Sequence, residues 1–144
     1  PHIAGLGAAC ALARRDLDQE TARQVALGKT FDRKLAELGR DLQVDARAHS
    51  EFGPRLPNTR SVGFAGLDLA RMLEELALAD VAVSAGAACH GGDVSVSHVL
   101  QAMHVPARYA ECTLRFSWGR STGEQDVEDL MERLAETIRT VRSG

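Results

Sequence analysis

The chain has 144 residues, 44% of them hydrophobic and 26% charged, with a formal net charge of −3. That is the size and balance of one domain with an ordinary core. It has no basic excess for nucleic acid, and no apolar run approaches the roughly 20 residues that cross a bilayer. Three cysteines, Cys10, Cys89 and Cys112, are too few and too scattered for a disulfide framework; with no secretory segment they favour a reducing, cytoplasmic setting.

From Ile3 to Leu38, apolar or small residues recur at steps of three and four, predicting one long amphipathic helix with a loosened point at Gly28. Cys10 falls on its apolar stripe and is expected in the core, while Lys29 and Lys34 fall off it and are expected to be solvated. Leu42 to Ala48 alternates as a partly exposed strand. Phe52-Gly53-Pro54 reads as a turn, and a second strand runs around Arg60 to Ala65. Asp68 is placed to cap a short helix bearing Leu69, Met72, Leu73 and Leu76 on one face. Val81 to Ser84 reads as a third strand.

Ser95 or Ser97 then opens a brief helix, His98 to Met103, stopped by Pro106. Cys112 to Trp118 alternates as a fourth strand, with Cys112 and its apolar partners on one face. The last helix starts at a capping box, Thr122 with Gln125 or Ser121 with Glu124, and buries Val127, Leu130, Met131, Leu134, Ile138 and Val141. These elements predict an α+β layer fold, 1–144 as a single domain: a small antiparallel sheet packed with helices and one long N-terminal helix.

Chemistry concentrates after the third strand, in Ser84-Ala85-Gly86-Ala87-Ala88-Cys89-His90-Gly91-Gly92. Its glycines and alanines offer little side-chain anchoring, so a thiol is set on a segment expected to swing. Cys89 is the candidate nucleophile, with His90 or His98 as proton partners. Two other readings stay open on the residues alone: a metal site from Cys89, His90, His98 and His104, which lacks the paired spacing of closed zinc sites, or a connection whose cysteine is incidental. Arg115, on the opposite face of its strand from Leu114 and Phe116, is either exposed and solvated, paired with an internal acid, or held for an incoming carboxylate.

Ser84 to Cys89, then Ser97-His98-Val99-Leu100, then Leu114-Arg115-Phe116-Ser117-Trp118-Gly119-Arg120 together resemble the C-terminal part of the cysteine desulfurases, pyridoxal-phosphate enzymes of the class V aminotransferase group. Arg55-Leu56-Pro57-Asn58-Thr59 and the opening Pro1 to Ala9 extend the resemblance over nearly the whole chain. The resemblance implies that Cys89 accepts sulfur from L-cysteine as a persulfide, leaving alanine, and that Arg115 holds the substrate carboxylate. It also implies a homodimeric parent enzyme that passes sulfur to an acceptor or an iron–sulfur scaffold protein. His90 departs from the commoner serine or threonine and resembles selenocysteine lyases, the alternative activity; a stand-alone sulfur-carrier or binding module is the alternative of another class.

Such enzymes hold pyridoxal phosphate on a lysine as a Schiff base. Lys29 and Lys34 are the chain's lysines, and neither suits that task. With Pro1 standing where an initiator methionine would be, the chain is expected to be the small domain of such an enzyme, without its cofactor domain. Taken alone it is expected to be inactive and to bind no cofactor or metal.

Overall fold

The structure is a computed structural model that describes residues 1–49, 55–85 and 97–143. Among the described residues, five helices and four strands follow one another as α1 (His2–Leu42), β1 (Ala46–Ala48), β2 (Thr59–Phe64), α2 (Leu69–Leu78), β3 (Ser84–Ala85), α3 (His98–Ala102), α4 (Ala107–Ala110), β4 (Thr113–Ser117) and α5 (Glu124–Ser143). The strands form one sheet in the order β1-β2-β4-β3, every neighbouring pair antiparallel. The α+β layer fold read from the sequence is the fold observed.

Alternation along the strands gives the sheet two unlike faces. Val62 and Phe64 of β2 and Leu114 and Phe116 of β4 point inward, where Leu27, Phe31, Leu35 and Leu38 of α1, Met72 and Leu76 of α2, and Leu134 and Ile138 of α5 meet them. Phe31 anchors this core, its ring 5.3 Å from Phe116 and 5.7 Å from Trp118 between centroids. Cys112 is buried in the same cluster, as expected. The other face is partly covered by a second cluster of Leu100, Val105, Tyr109 and Ala110. Gly63 permits that cover, because a Cβ there would sit 2.5 Å from Tyr109 Cβ.

Helix α1 runs four residues beyond the predicted end and takes in Leu42, leaving β1 shorter than the alternation suggested. It ends at Gln43, whose φ of 52° is left-handed and whose N–H returns to the last turn. Gly28 is not a loosened point: the helix is continuous there, and the glycine makes room for Arg60. That guanidinium is 4% exposed, donates from Nε to Asp32 Oδ1 at 2.8 Å, and lies 5.2 Å from the Trp118 ring centroid.

Cys10 departs from the expectation of core burial. It is exposed, as are Ile3, Leu6 and Leu17 on the same stripe, because the described apolar core reaches α1 only from Leu27 onward. Lys29 is exposed, whereas Lys34 is partly covered and pairs with Glu128 Oε1 at 3.0 Å. Asp68 caps α2 as predicted, accepting the Arg71 N–H at 2.8 Å. Pro106, read as a stop, also opens α4, an element with too few residues to show a period.

The start of α5 differs in its chemistry from the predicted capping box. Gly123 donates its N–H to Asp126 Oδ2 at 2.7 Å, while the Thr122 hydroxyl accepts from Gly119 N at 3.1 Å. The predicted turn at Phe52-Gly53-Pro54 lies outside the described residues.

Candidate functional site

The antiparallel register of β2, β4 and β3 lays Ser61, Arg115 and Ser84 side by side, Arg115 in the middle. Leu114 and Phe116 are buried on either side of Arg115, so strand geometry sends its side chain to the opposite, outer face, where it is exposed. Among the described residues the Arg115 side chain makes no hydrogen bond or ion pair. The reading that pairs it with an internal acid therefore finds no described partner. Its flanking side chains are two serines, short and uncharged, which leave the five N–H donors of the guanidinium accessible to an anion.

Cys89 and His90, the predicted nucleophile and its neighbour, lie outside the described residues. Their position in the chain is still informative: they follow Ser84 and Ala85, which β4 holds directly opposite Arg115 and Leu114. His98 is the first residue of α3, exposed, and no hydrogen bond or ion pair links it to Arg115. Among the described residues no three His, Cys, Asp or Glu side chains gather to hold a metal ion.

The two described thiols differ sharply. Cys10 is exposed on α1, whereas Cys112 is 1% exposed and its thiol is pushed up to about 12, first by burial and then by the Asp68 carboxylate. A thiol so raised stays protonated at neutral pH and is no nucleophile.

One residue of the outer face escaped the sequence reading. His49 donates its backbone N–H to Ser61 O at 2.8 Å, extending the β1–β2 pairing by one position and joining the row of Ser61, Arg115 and Ser84. The signal was present: Arg47 and His49 are the outward phase of the Ala46–Ala48 alternation.

Comparison with known proteins follows the same lines. No protein-family model matches the chain. A cysteine desulfurase of Gluconacetobacter diazotrophicus is 35% identical over 142 residues, which are 99% of this chain and 34% of that protein. Cysteine desulfurase IscS of Dictyoglomus turgidum is 33% identical over 96% of the chain and 35% of its own length. The chain is related to the cysteine desulfurases.

It spans about a third of the length of these relatives. The X-ray structure of a NifS-like protein from Rickettsia africae superposes with a TM-score of 0.78 at 26% identity, over 95% of this chain and 34% of that one. A second NifS-like protein shares the fold, with a TM-score of 0.72 at 23% identity over 90% of this chain and 31% of its own.

Enzymes of this kind imply pyridoxal phosphate, and the residues present do not fit that cofactor. Both lysines sit on α1, which packs against the inner face of the sheet, whereas Arg115 opens from the outer face. Lys34 is moreover engaged by Glu128. A Schiff base at either amine would hold the cofactor on the wrong side of the sheet from Arg115.

Proposed function

We propose that the chain is the sulfur-accepting small domain of a pyridoxal-phosphate-dependent cysteine desulfurase, with the cofactor held by the part of the enzyme that this chain does not cover. The observation that carries this reading is Arg115: exposed, without a described ionic partner, and centred on the sheet directly beside the strand that leads to Cys89. Three residues lie between Ala85 and Cys89, so the four peptide steps keep the two within about 14 Å. A substrate gripped at Arg115 is therefore within reach of that thiol.

Arg115 binds the carboxylate of L-cysteine through its planar donor fork. The thiolate of Cys89 then bonds to the substrate sulfur as the carbon–sulfur bond breaks. The electron pair of that bond stays on carbon, which takes a proton and leaves as alanine, and Cys89 carries the persulfide. From there the sulfur passes to an acceptor such as an iron–sulfur scaffold protein. The parent enzyme is a homodimer in a reducing cytoplasmic setting, in keeping with two described cysteines that form no disulfide. His98, exposed at the start of α3, remains a candidate proton partner together with His90.

Kinetics of the complete enzyme test this reading. Cys89→Ser is expected to abolish sulfur release from L-cysteine with cofactor binding intact. Arg115→Ala is expected to raise KM about 10- to 100-fold, the loss of a charge-assisted contact. An unchanged KM in the second variant overturns the role of Arg115. Comparing turnover of cysteine with that of selenocysteine decides between a desulfurase and a selenocysteine lyase. For the chain alone, mixing with pyridoxal phosphate followed by borohydride is expected to trap no adduct.

A further inference from the structure

From His2 to Ala13, helix α1 carries no Asp, Glu, Lys or Arg. Every residue from 1 to 15 is nevertheless exposed, Ile3, Leu6, Cys10 and Leu12 among them. Nor is this apolar surface a single stripe. Leu12 follows Cys10 by two residues and so stands about 200° round the helix from it, on the far side. A helix that is apolar on all sides is one that a larger protein encloses.

Two glycines in the run point the same way. Gly5 and Gly7 lie inside α1, where glycine is a poor helix former, and neither has a left-handed φ that would call for it. At Gly28 of the same helix the reason for a glycine is in view, since a Cβ there would run into the Arg60 guanidinium. At Gly5 and Gly7 a Cβ would meet no described atom within 4 Å. Two residues apart, the glycines open opposite sides of the helix to close approach.

A second copy of the chain, paired along the stripe of Ile3, Leu6, Cys10 and Leu17, would cover one side and leave Leu12 in water. Cover on both sides needs a cleft. This chain spans about a third of the length of its relatives, so the greater part of such an enzyme is available to form one.

We propose that His2 to Ala13 is the docking element of this domain, seated in an apolar cleft of the cofactor-holding part of the enzyme, which approaches closely at Gly5 and Gly7. This rests on the reading of the chain as one domain of a larger desulfurase. Docking there also positions the substrate-facing strand. The next turns of α1 are tied to the segment after β4, by Asp16 to Arg120 and by Arg23 to Gly119 O and Thr122 O, and β4 bears Arg115. The helix is thus a strut between the cofactor-holding part and that strand.

Cys10, inside the run, reports the cover. Iodoacetamide is expected to modify it readily in the 144-residue chain and at least about 100-fold more slowly in the complete enzyme, followed by mass spectrometry of its peptide. Equal, rapid modification in both overturns the docking. Full protection in the chain alone, in a dimer seen by sedimentation, overturns it in favour of a second copy.

Gly7 gives a second readout, of opposite sign in the two proteins. Gly7→Leu is expected to leave the urea midpoint of the chain unchanged or raised, because the site is open and leucine is the better helix former, and to lower that of the complete enzyme. An unlowered midpoint in the complete enzyme, or an equal loss in both, overturns the docking. Neither measurement depends on turnover. A complete enzyme that protects Cys10 without desulfurating L-cysteine overturns the proposed function and leaves the docking in place, whereas an active desulfurase with Cys10 equally reactive overturns the docking alone.

Discussion

A methyl group added at Gly28 would lie 2.1 Å from Arg60 Nη2 and 2.8 Å from Cζ, and the guanidinium is held by Asp32 and by Thr59 O, the latter at 2.9 Å. Gly28→Ala must therefore displace a buried, ion-paired side chain. The expected cost is about 1–3 kcal/mol, the range of overpacked cores, measured as a lower midpoint in urea unfolding. An unchanged midpoint contradicts the packing described. Local sequence could not reveal this constraint: a glycine in a helical pattern reads as a weak point, and the residue that requires it is 32 positions away. Cys112 was legible by contrast, since strand alternation alone placed it inward. Raised to about 12, its thiol should resist iodoacetamide at pH 8 in the folded chain, while exposed Cys10 is modified. Rapid labelling of Cys112 contradicts the buried site.

Among the elements, α1 shows what periodicity reports and what it omits. The stripe through Ile3, Leu6, Cys10 and Leu17 marks an apolar face, but pattern alone cannot say whether anything covers it. In this chain Ile3 is 89% exposed and Phe31 not at all. Helices without tertiary packing are marginal in water. Amides in the first three turns of α1 should accordingly exchange hydrogen orders of magnitude faster than those around Phe31 and Leu35. Uniform protection along α1 contradicts this.

The middle of α1 is tied to the loop after β4 by Arg23, which donates to Thr122 O at 2.6 Å and Gly119 O at 2.8 Å, and by an Asp16–Arg120 pair. Arg23 holds the Glu20 carboxyl down to about 2, and Arg15 with Arg120 holds Asp16 below the usual carboxylate range. Both shifts are depressions, so their stabilisation is full above the ordinary carboxylate pKa. It is lost as pH falls from about 4.5 toward 2 for Glu20, and salt screens it. Carboxyl carbon NMR should find Glu20 titrating well below 4.5, and a midpoint at that ordinary value contradicts the ion pair. Three of the strands and both long helices were readable from period and alternation, whereas β3, predicted over Val81–Ser84 but paired only at Ser84–Ala85, α4, with 4 residues, and the Gly123–Asp126 cap were not. Single-turn elements and caps are decided by tertiary contacts that leave no repeat in the sequence.

For the whole molecule, the two faces of the sheet divide the work. The inner face is a continuous core of three helices on four strands, and the outer face carries Arg115, Ser61, Ser84 and His49 with partial cover from Tyr109 and its cluster. Arg115 was legible because a lone charge on an alternating apolar strand must point away from the core. The placement of His49 in this row was not, because it depends on register across β1, β2 and β4, and nothing local in Ala46–Ala48 fixes which residue of a distant strand it will face.

The chain thus brings an exposed guanidinium and the root of a cysteine-bearing segment to one open surface, and its lysines lie on the other side. Mass spectrometry of the complete enzyme after incubation with L-cysteine tests this most directly. The peptide bearing Cys89 should become heavier by one sulfur atom, and should not do so in Arg115→Ala at low substrate. Alanine formed with the extra sulfur on Cys10 or Cys112, and none on Cys89, would contradict the account.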